Sequence, residues 1–189
     1  MKKILALIGC LVLLLGTVGC GGNVTWNGKT EILGYCTMVE DVSDPYLYAG
    51  LVDHVFVGTV EKIEKTVIPK KAKQWEDNFS IYRIRVDESL KGNLVETVEC
   101  RKLGGFWKDG TMALICAEMP GGVMITDSGL PKVGKQYVFL AYSQPDGSLH
   151  LSELFDDREC DEALLSEYRD YVEHRKTVER ERFSSKYDR

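Results

Sequence analysis

Val52-Asp53-His54-Val55-Phe56-Val57-Gly58-Thr59-Val60-Glu61-Lys62-Ile63-Glu64-Lys65-Thr66-Val67-Ile68 is the stretch on which the reading of this chain turns. Its density of β-branched and aromatic residues favours a pleated surface. Up to Val57 the residues are apolar on both faces, as in a strand end that is fully covered. From Thr59 onward polar and apolar residues alternate, which suits a strand wet on one face. Gly58 stands at the changeover, where a glycine inside a strand pattern signals a bulge or a close backbone approach. A strand this long that changes its buried face is what a small closed barrel requires, because barrel strands coil and turn corners. Phe79 to Glu88 reads as the strand that returns along it.

The remaining elements follow from local chemistry. Asp44-Pro45 opens a short helix, with aspartate as N-cap and proline at the first helical position. Pro69 to Asn78 is a charged loop. Leu94 to Lys102 is a third strand, Met112 to Cys116 a short one, and Gln136 to Tyr142 another. Met119 to Thr126, with Pro120-Gly121-Gly122, fits no element cleanly. Gln144-Pro145-Asp146-Gly147-Ser148 is a hairpin turn, proline presetting φ and glycine accepting positive φ, and Leu149 and Leu151 continue beyond it. Asp161 caps a helix whose apolar stripe is Leu164, Leu165, Tyr168, Tyr171 and Val172. Beyond Lys176 the chain is almost wholly polar, and the helix is expected to fray there.

Composition narrows the class. A hydrophobic fraction of 44% and a charged fraction of 28% in 189 residues belong to one folded domain with extensions. The net charge is −5, and losing Lys2 and Lys3 with the leader takes it to −7. That balance argues against nucleic acid, whose phosphates need clustered Lys and Arg.

The leader locates the protein. Met1-Lys2-Lys3 precedes an apolar run from Ile4 to Val18 and then Gly19-Cys20-Gly21-Gly22. A basic start, a short apolar core and small residues at a cleavage point make an export signal. The run is shorter than the roughly 20 residues of a membrane span. Thr17-Val18-Gly19-Cys20 resembles the lipobox of bacterial lipoproteins, departing from it at Thr17, where leucine is usual. The resemblance implies cleavage before Cys20 and fatty acids on that residue. Each buried methylene contributes about 0.8 kcal/mol, and two or more chains anchor stably. The expected organisation is a signal over residues 1–19, a tether over 20–35, a domain over 36–180 and a polar tail over 181–189, on the extracytoplasmic face of the membrane. Four dispersed cysteines, Cys36, Cys100, Cys116 and Cys160, in an exported chain point to two disulfides, with buried free thiols as the alternative.

The order of these pieces resembles the netrin-like module, the OB-fold barrel of tissue inhibitors of metalloproteinases. The residues that carry the resemblance are the short helix leading into Val52 to Val60, the strand closing on Val86-Asp87-Glu88-Ser89-Leu90-Lys91-Gly92, and Val133 to Leu140. After these come the Pro145-Asp146-Gly147 hairpin, Leu149-His150-Leu151 and a terminal helix. The resemblance implies a mainly β fold, an OB-like closed five-stranded barrel with a short N-terminal helix and a C-terminal helix. It doesn't imply zinc chelation. Those inhibitors use a free N-terminal cysteine in a Cys-x-Cys start, whereas Cys36-Thr37-Met38 lies inside this chain.

No catalytic constellation stands out. His54 reads as a helix-to-strand junction residue, His150 as outward-facing and His174 as lying on a charged helix face. No HExxH or Cys/His cluster occurs, so neither a metal nor another cofactor is expected. The acidic run Asp156, Asp157, Glu159, Asp161 and Glu162 reads as a helix N-terminal cluster favoured by the macrodipole. Trp75, Phe106 and Trp107, in loops, are the residues best suited to a contact surface, with covering the barrel ends as the alternative. The expectation is a lipid-anchored, non-enzymatic binding module with a protein or envelope partner. The alternatives are a hydrolase acting on envelope material and a protease inhibitor acting through a loop.

Overall fold

The computed structural model describes residues 27–37, 42–67, 78–119, 123–126 and 129–189. Cys20 and Trp75, singled out in the sequence, lie outside these residues. The elements run β1 (Thr30–Thr37), α1 (Pro45–Leu51), β2 (His54–Val67), β3 (Phe79–Lys91), β4 (Thr97–Leu103), β5 (Gly105–Phe106), β6 (Met112–Met119), β7 (Val123–Thr126), β8 (Gln136–Ser143), β9 (Leu149–Leu151) and α2 (Glu162–Glu173).

Strands β2, β3, β4, β9 and β8 close into a barrel in that order. All neighbours are antiparallel except β4 and β9, which run parallel, pairing Cys100 with Leu149. The protein is thus mainly β, with an OB-like five-stranded barrel and a helix on each side of it in sequence, as expected. A second, smaller sheet joins β1 parallel to β6, with β5 and β7 antiparallel on the other edge of β6. Thr30 already belongs to β1, so the expected tether is partly strand. The stretch that fitted no element forms the end of β6 and β7, with Met119 opposite Val123.

The double-sided apolar start of β2 has a direct cause. Phe56 and Val60 point into the barrel with Tyr82, Ile84, Val98, Phe139 and Leu149, Phe56 stacking on Phe139 at 5.3 Å. Val55 and Val57 point outward, under α1 and α2, with Val138, Leu140, Leu164 and Val172. Gly58 lies between these regimes. A Cβ there would sit 2.6 Å from Ile84 Cγ2 and 3.0 Å from the Arg85 carbonyl, and the pairing with β3 shifts between Val57 and Gly58. It is a close approach, and it stands opposite a bulge whose extra residue, Asp87, belongs to β3.

The expected alternation after Thr59 is not kept. Further shifts between Val60 and Lys62 and between Ile63 and Lys65 break the two-residue period. Ile63 and Val67 are left half-buried, with exposed residues between them. Each shift inserts one glutamate, and both reach Arg83 of β3, Glu61 at 3.1 Å and Glu64 at 3.8 Å. Bulges of this kind bend and twist the strand, which is how a 14-residue strand curls around a small barrel.

Both helix starts behave as their sequences indicate. Asp44 accepts from the Tyr46 and Leu47 N–H groups at 3.0 and 3.2 Å, and Asp161 accepts from Leu164 at 2.8 Å. The Gln144–Ser148 hairpin closes with Gly147 at φ +77°.

Candidate functional site

Helix α1 has seven residues, so its C-terminal carbonyls must find partners beyond the helix. They find cations. Lys91, the last residue of β3, donates from Nζ to the carbonyls of Ala49 (2.7 Å), Gly50 (3.2 Å) and Val52 (2.5 Å). Arg182 donates to Gly50 (2.7 Å), Leu51 (3.3 Å) and Val52 (3.3 Å). Arg180 Nε donates to Leu51 at 2.7 Å. Charge-assisted bonds at the negative end of a helix are favoured twice over, by hydrogen bonding and by the peptide dipoles.

Arg182 belongs to the expected polar tail, and Arg180 to the almost wholly polar stretch beyond Lys176 that leads into it. The whole stretch is docked. The Lys176 N–H donates to Tyr46 and the Lys186 N–H to Gly147. Lys176 Nζ pairs with Asp44, and Asp188 bridges to Leu94. Arg180 and Arg182 also reach Asp53 at 2.6 and 2.9 Å. Asp53 Oδ2 accepts from the Ser143 N–H at 3.0 Å. Burial alone would raise the Asp53 pKa, but these bonds hold it below the usual carboxylate range. Tyr187 packs against the barrel core and Val178 against the helix-side cluster. Those two and Phe183 are the apolar residues in a polar run that were the available signal for docking.

Between this segment, α1 and the end of β3 lies a half-open cleft of about 870 Å³, lined by His54, Lys91, Gly92, Arg175, Arg182 and Asp188 among others. His54 heads β2 and is 3% exposed, a junction residue as expected. Its Nε2 lies 2.8 Å from Ser143 Oγ, and its Nδ1 lies 3.8 Å from Asp188 Oδ1, with neither Nδ1 nor Oδ1 in a hydrogen bond. Gly92 seals the other side of the ring, since a Cβ there would meet Nδ1 at 2.3 Å. Burial lowers the His54 pKa below the usual imidazole value, against the opposing fields of Asp188 and Asp53. Burial likewise takes Lys91 down to about 8, with Arg182 and Arg175 adding to the effect.

Ser143, His54 and Asp188 stand in the order of a hydrolytic triad. The geometry stops short of one. Ser143 is 2% exposed and does not line the cleft, so a carbonyl entering there meets the imidazole's far edge rather than the hydroxyl. Among the described residues no group of three or more His, Cys, Asp or Glu side chains is placed to hold a metal.

The cysteine expectation needs correction. Cys100 and Cys160 are free thiols, so the four cysteines do not make two disulfides. Cys100 points into the barrel core at 0% exposure, where burial pushes its pKa up. Cys160 lies just ahead of α2, with burial and nearby Asp161 and Glu162 raising its pKa. Cys116 is buried on β6, and the register sets Cys36 opposite Ala117 instead of Cys116.

Phe106 and Trp107 are half-buried, and they lie on the small sheet, away from the cleft's lining. Phe106 is in β5, and Trp107 begins the turn to β6, its N–H donating to the Thr111 carbonyl at 2.8 Å. His150 is half-buried opposite Arg101, and His174 is exposed, 3.0 Å from Asp170.

No family of known proteins matches this chain, and no curated protein is significantly similar to it.

Proposed function

We propose that this protein is a bacterial lipoprotein, held at the extracytoplasmic face by fatty acids on Cys20, whose barrel is a non-enzymatic module binding a protein or envelope partner. The likeness to the netrin-like module belongs to the same proposal, and the closed barrel between two helices supports it. The observation that carries the binding reading is how the charges around the cleft are spent. Lys91 donates to three carbonyls, Arg182 to backbone carbonyls and Asp53, and Asp53 is held by two arginines and a backbone N–H. A general acid or base needs a proton or lone pair free to reach substrate, and these groups are committed to holding the fold.

The anchor is tested by mass spectrometry of the mature protein from intact cells. Acyl mass on Cys20, and release into the medium on Cys20→Ala, is the expected result; a mature N-terminus without acyl mass overturns it. Crosslinking pull-down from intact cells, with Phe106 and Trp107 variants as controls, then identifies the partner.

A hydrolase acting on envelope material is the second reading, favoured by the order of Ser143, His54 and Asp188. Labelling of Ser143 by a fluorophosphonate probe would establish it; an unlabelled protein removes it.

A further inference from the structure

Residues 27–30, the first described ones after the proposed anchor in sequence, are fixed to one place on the domain. The Asn27 N–H donates to the Gly110 carbonyl at 3.0 Å. Its side-chain amide donates to the Asp109 carbonyl at 3.0 Å and to Thr111 Oγ1 at 3.1 Å. The Met112 N–H donates to Lys29 at 2.9 Å, and β1 then runs alongside β6 from Thr30. The chain therefore enters the domain at the turn between β5 and β6, the turn that Trp107 begins.

We infer that this turn and the adjoining face of the small sheet form a second contact with the lipid surface, Trp107 and Phe106 resting at the headgroup level. The inference rests on the proposed anchor at Cys20. Asn27 is seven steps along the chain from Cys20, and a chain advances at most about 3.6 Å per step, so the turn stays within roughly 25 Å of the acylated residue. Every orientation of the domain keeps this turn close to the bilayer. That distinguishes a lipid surface from a protein partner, which nothing holds at this place.

The composition of the patch fits the same occupant. The register pairs Ile32 of β1 with Leu114 of β6, and Phe106 of β5 with Met112 of β6. Met112 and Leu114 are two residues apart, so Ile32, Leu114, Phe106 and Met112 share one face, Leu114 being buried at 2% and the others lying around it. Ile32 is 40% exposed, and Phe106, Met112 and Trp107 are partly buried, each with some surface still reaching solvent. The Trp107 indole nitrogen is buried without a hydrogen-bond partner, so the part of this residue that reaches solvent is not its polar atom. Lys108 stands exposed beside it. Asp109 bends its carboxylate back onto the Thr111 N–H and hydroxyl at 2.9 and 3.1 Å, so its charge is engaged within the turn. Aromatic rings with an adjacent cation suit the boundary between headgroups and acyl chains.

The test makes Trp107 the only tryptophan, through Trp26→Phe and Trp75→Phe, and reads its quenching by brominated phosphatidylcholine. In one arm the full acylated protein is reconstituted into phosphatidylethanolamine–phosphatidylglycerol vesicles containing the brominated lipid. In the other, the chain from Gly21 carries an N-terminal hexahistidine tag and is held on the same vesicles by nickel-chelating lipid. The reference is Ser166→Trp on the exposed face of α2, with Trp107→Phe. At least threefold stronger quenching of Trp107 than of the α2 reporter is expected in both arms. Equal quenching of the two reporters on the tagged chain overturns the inference. If the native preparation carries no acyl group while the tagged chain still shows the difference, the anchor reading fails and the lipid contact stands. If both arms bind vesicles and Trp107 stays unquenched, the contact fails and the anchor stands.

Discussion

The cleft beside His54 and the turn at Trp107 are opposite solutions to placing functional-looking side chains on a small barrel. At the cleft, chemically capable groups are consumed internally: Lys91, Arg180 and Arg182 all serve α1 carbonyls or Asp53. At the turn, the backbone and Asp109 are held locally by Asn27 and Thr111, the Trp107 indole nitrogen is left without a partner, and some apolar surface is left over. The contrast teaches that charge density marks the part of this protein that holds itself together. The unspent aromatic surface marks the part available to something else.

Substitutions at the cleft should therefore cost stability, and those at the turn should not. The largest loss is expected from Gly92→Ala. It adds a Cβ 2.3 Å from the buried His54 ring at φ +83°, and should destabilise by about 3 kcal/mol or more in denaturant unfolding. Arg182→Ala removes donors from two α1 carbonyls and that of the C-cap residue Val52 and should cost about 2 kcal/mol, with faster proteolysis after Lys176. A Gly92→Ala protein as stable as the parent would break the comparison at its strongest point.

Lys91 gives a pH signature. Its folded pKa of about 8 lies below the unfolded value of about 10.4. Between those values the unfolded chain holds more protons, so stability rises with pH across that window. The rise should be visible from about pH 8 to pH 10, before tyrosines ionise in the unfolded chain and oppose it. Lys91→Met should flatten this stretch of the profile. The smallest effect belongs to Trp107→Ser, about 1 kcal/mol or less from partial loss of burial, with vesicle contact reduced far more than stability. A Trp107→Ser loss equal to that of Arg182→Ala would place the turn among the structural elements and erase the distinction.

Much of the architecture could be read from the residues because it rests on local rules. Gly58, the two aspartate caps and the Pro145-Asp146-Gly147 turn each encode their conformation within a few positions. The bulges at Glu61 and Glu64 were less legible, since an extra residue in a strand shows only when its partner strand is known. The cleft was least legible. His54 reads correctly as a junction, but arginines that cap a helix about 130 residues away follow no periodicity, and a run of Arg, Glu, Lys and Ser reads as solvated tail. Val178, Phe183 and Tyr187 hinted otherwise. For the four cysteines, export context set the expectation, while the barrel interior made Cys100 a core residue.

The docking of residues 176–189 also bears on when the domain can be completed. If the chain crosses the membrane N-terminus first, α1 and β2 arrive with their carbonyls and Asp53 uncapped, and Arg180, Arg182 and Asp188 follow only after the barrel strands. In that order the barrel end stays unsealed until residues 176–189 are delivered, and a chain lacking them would be without its own keystone.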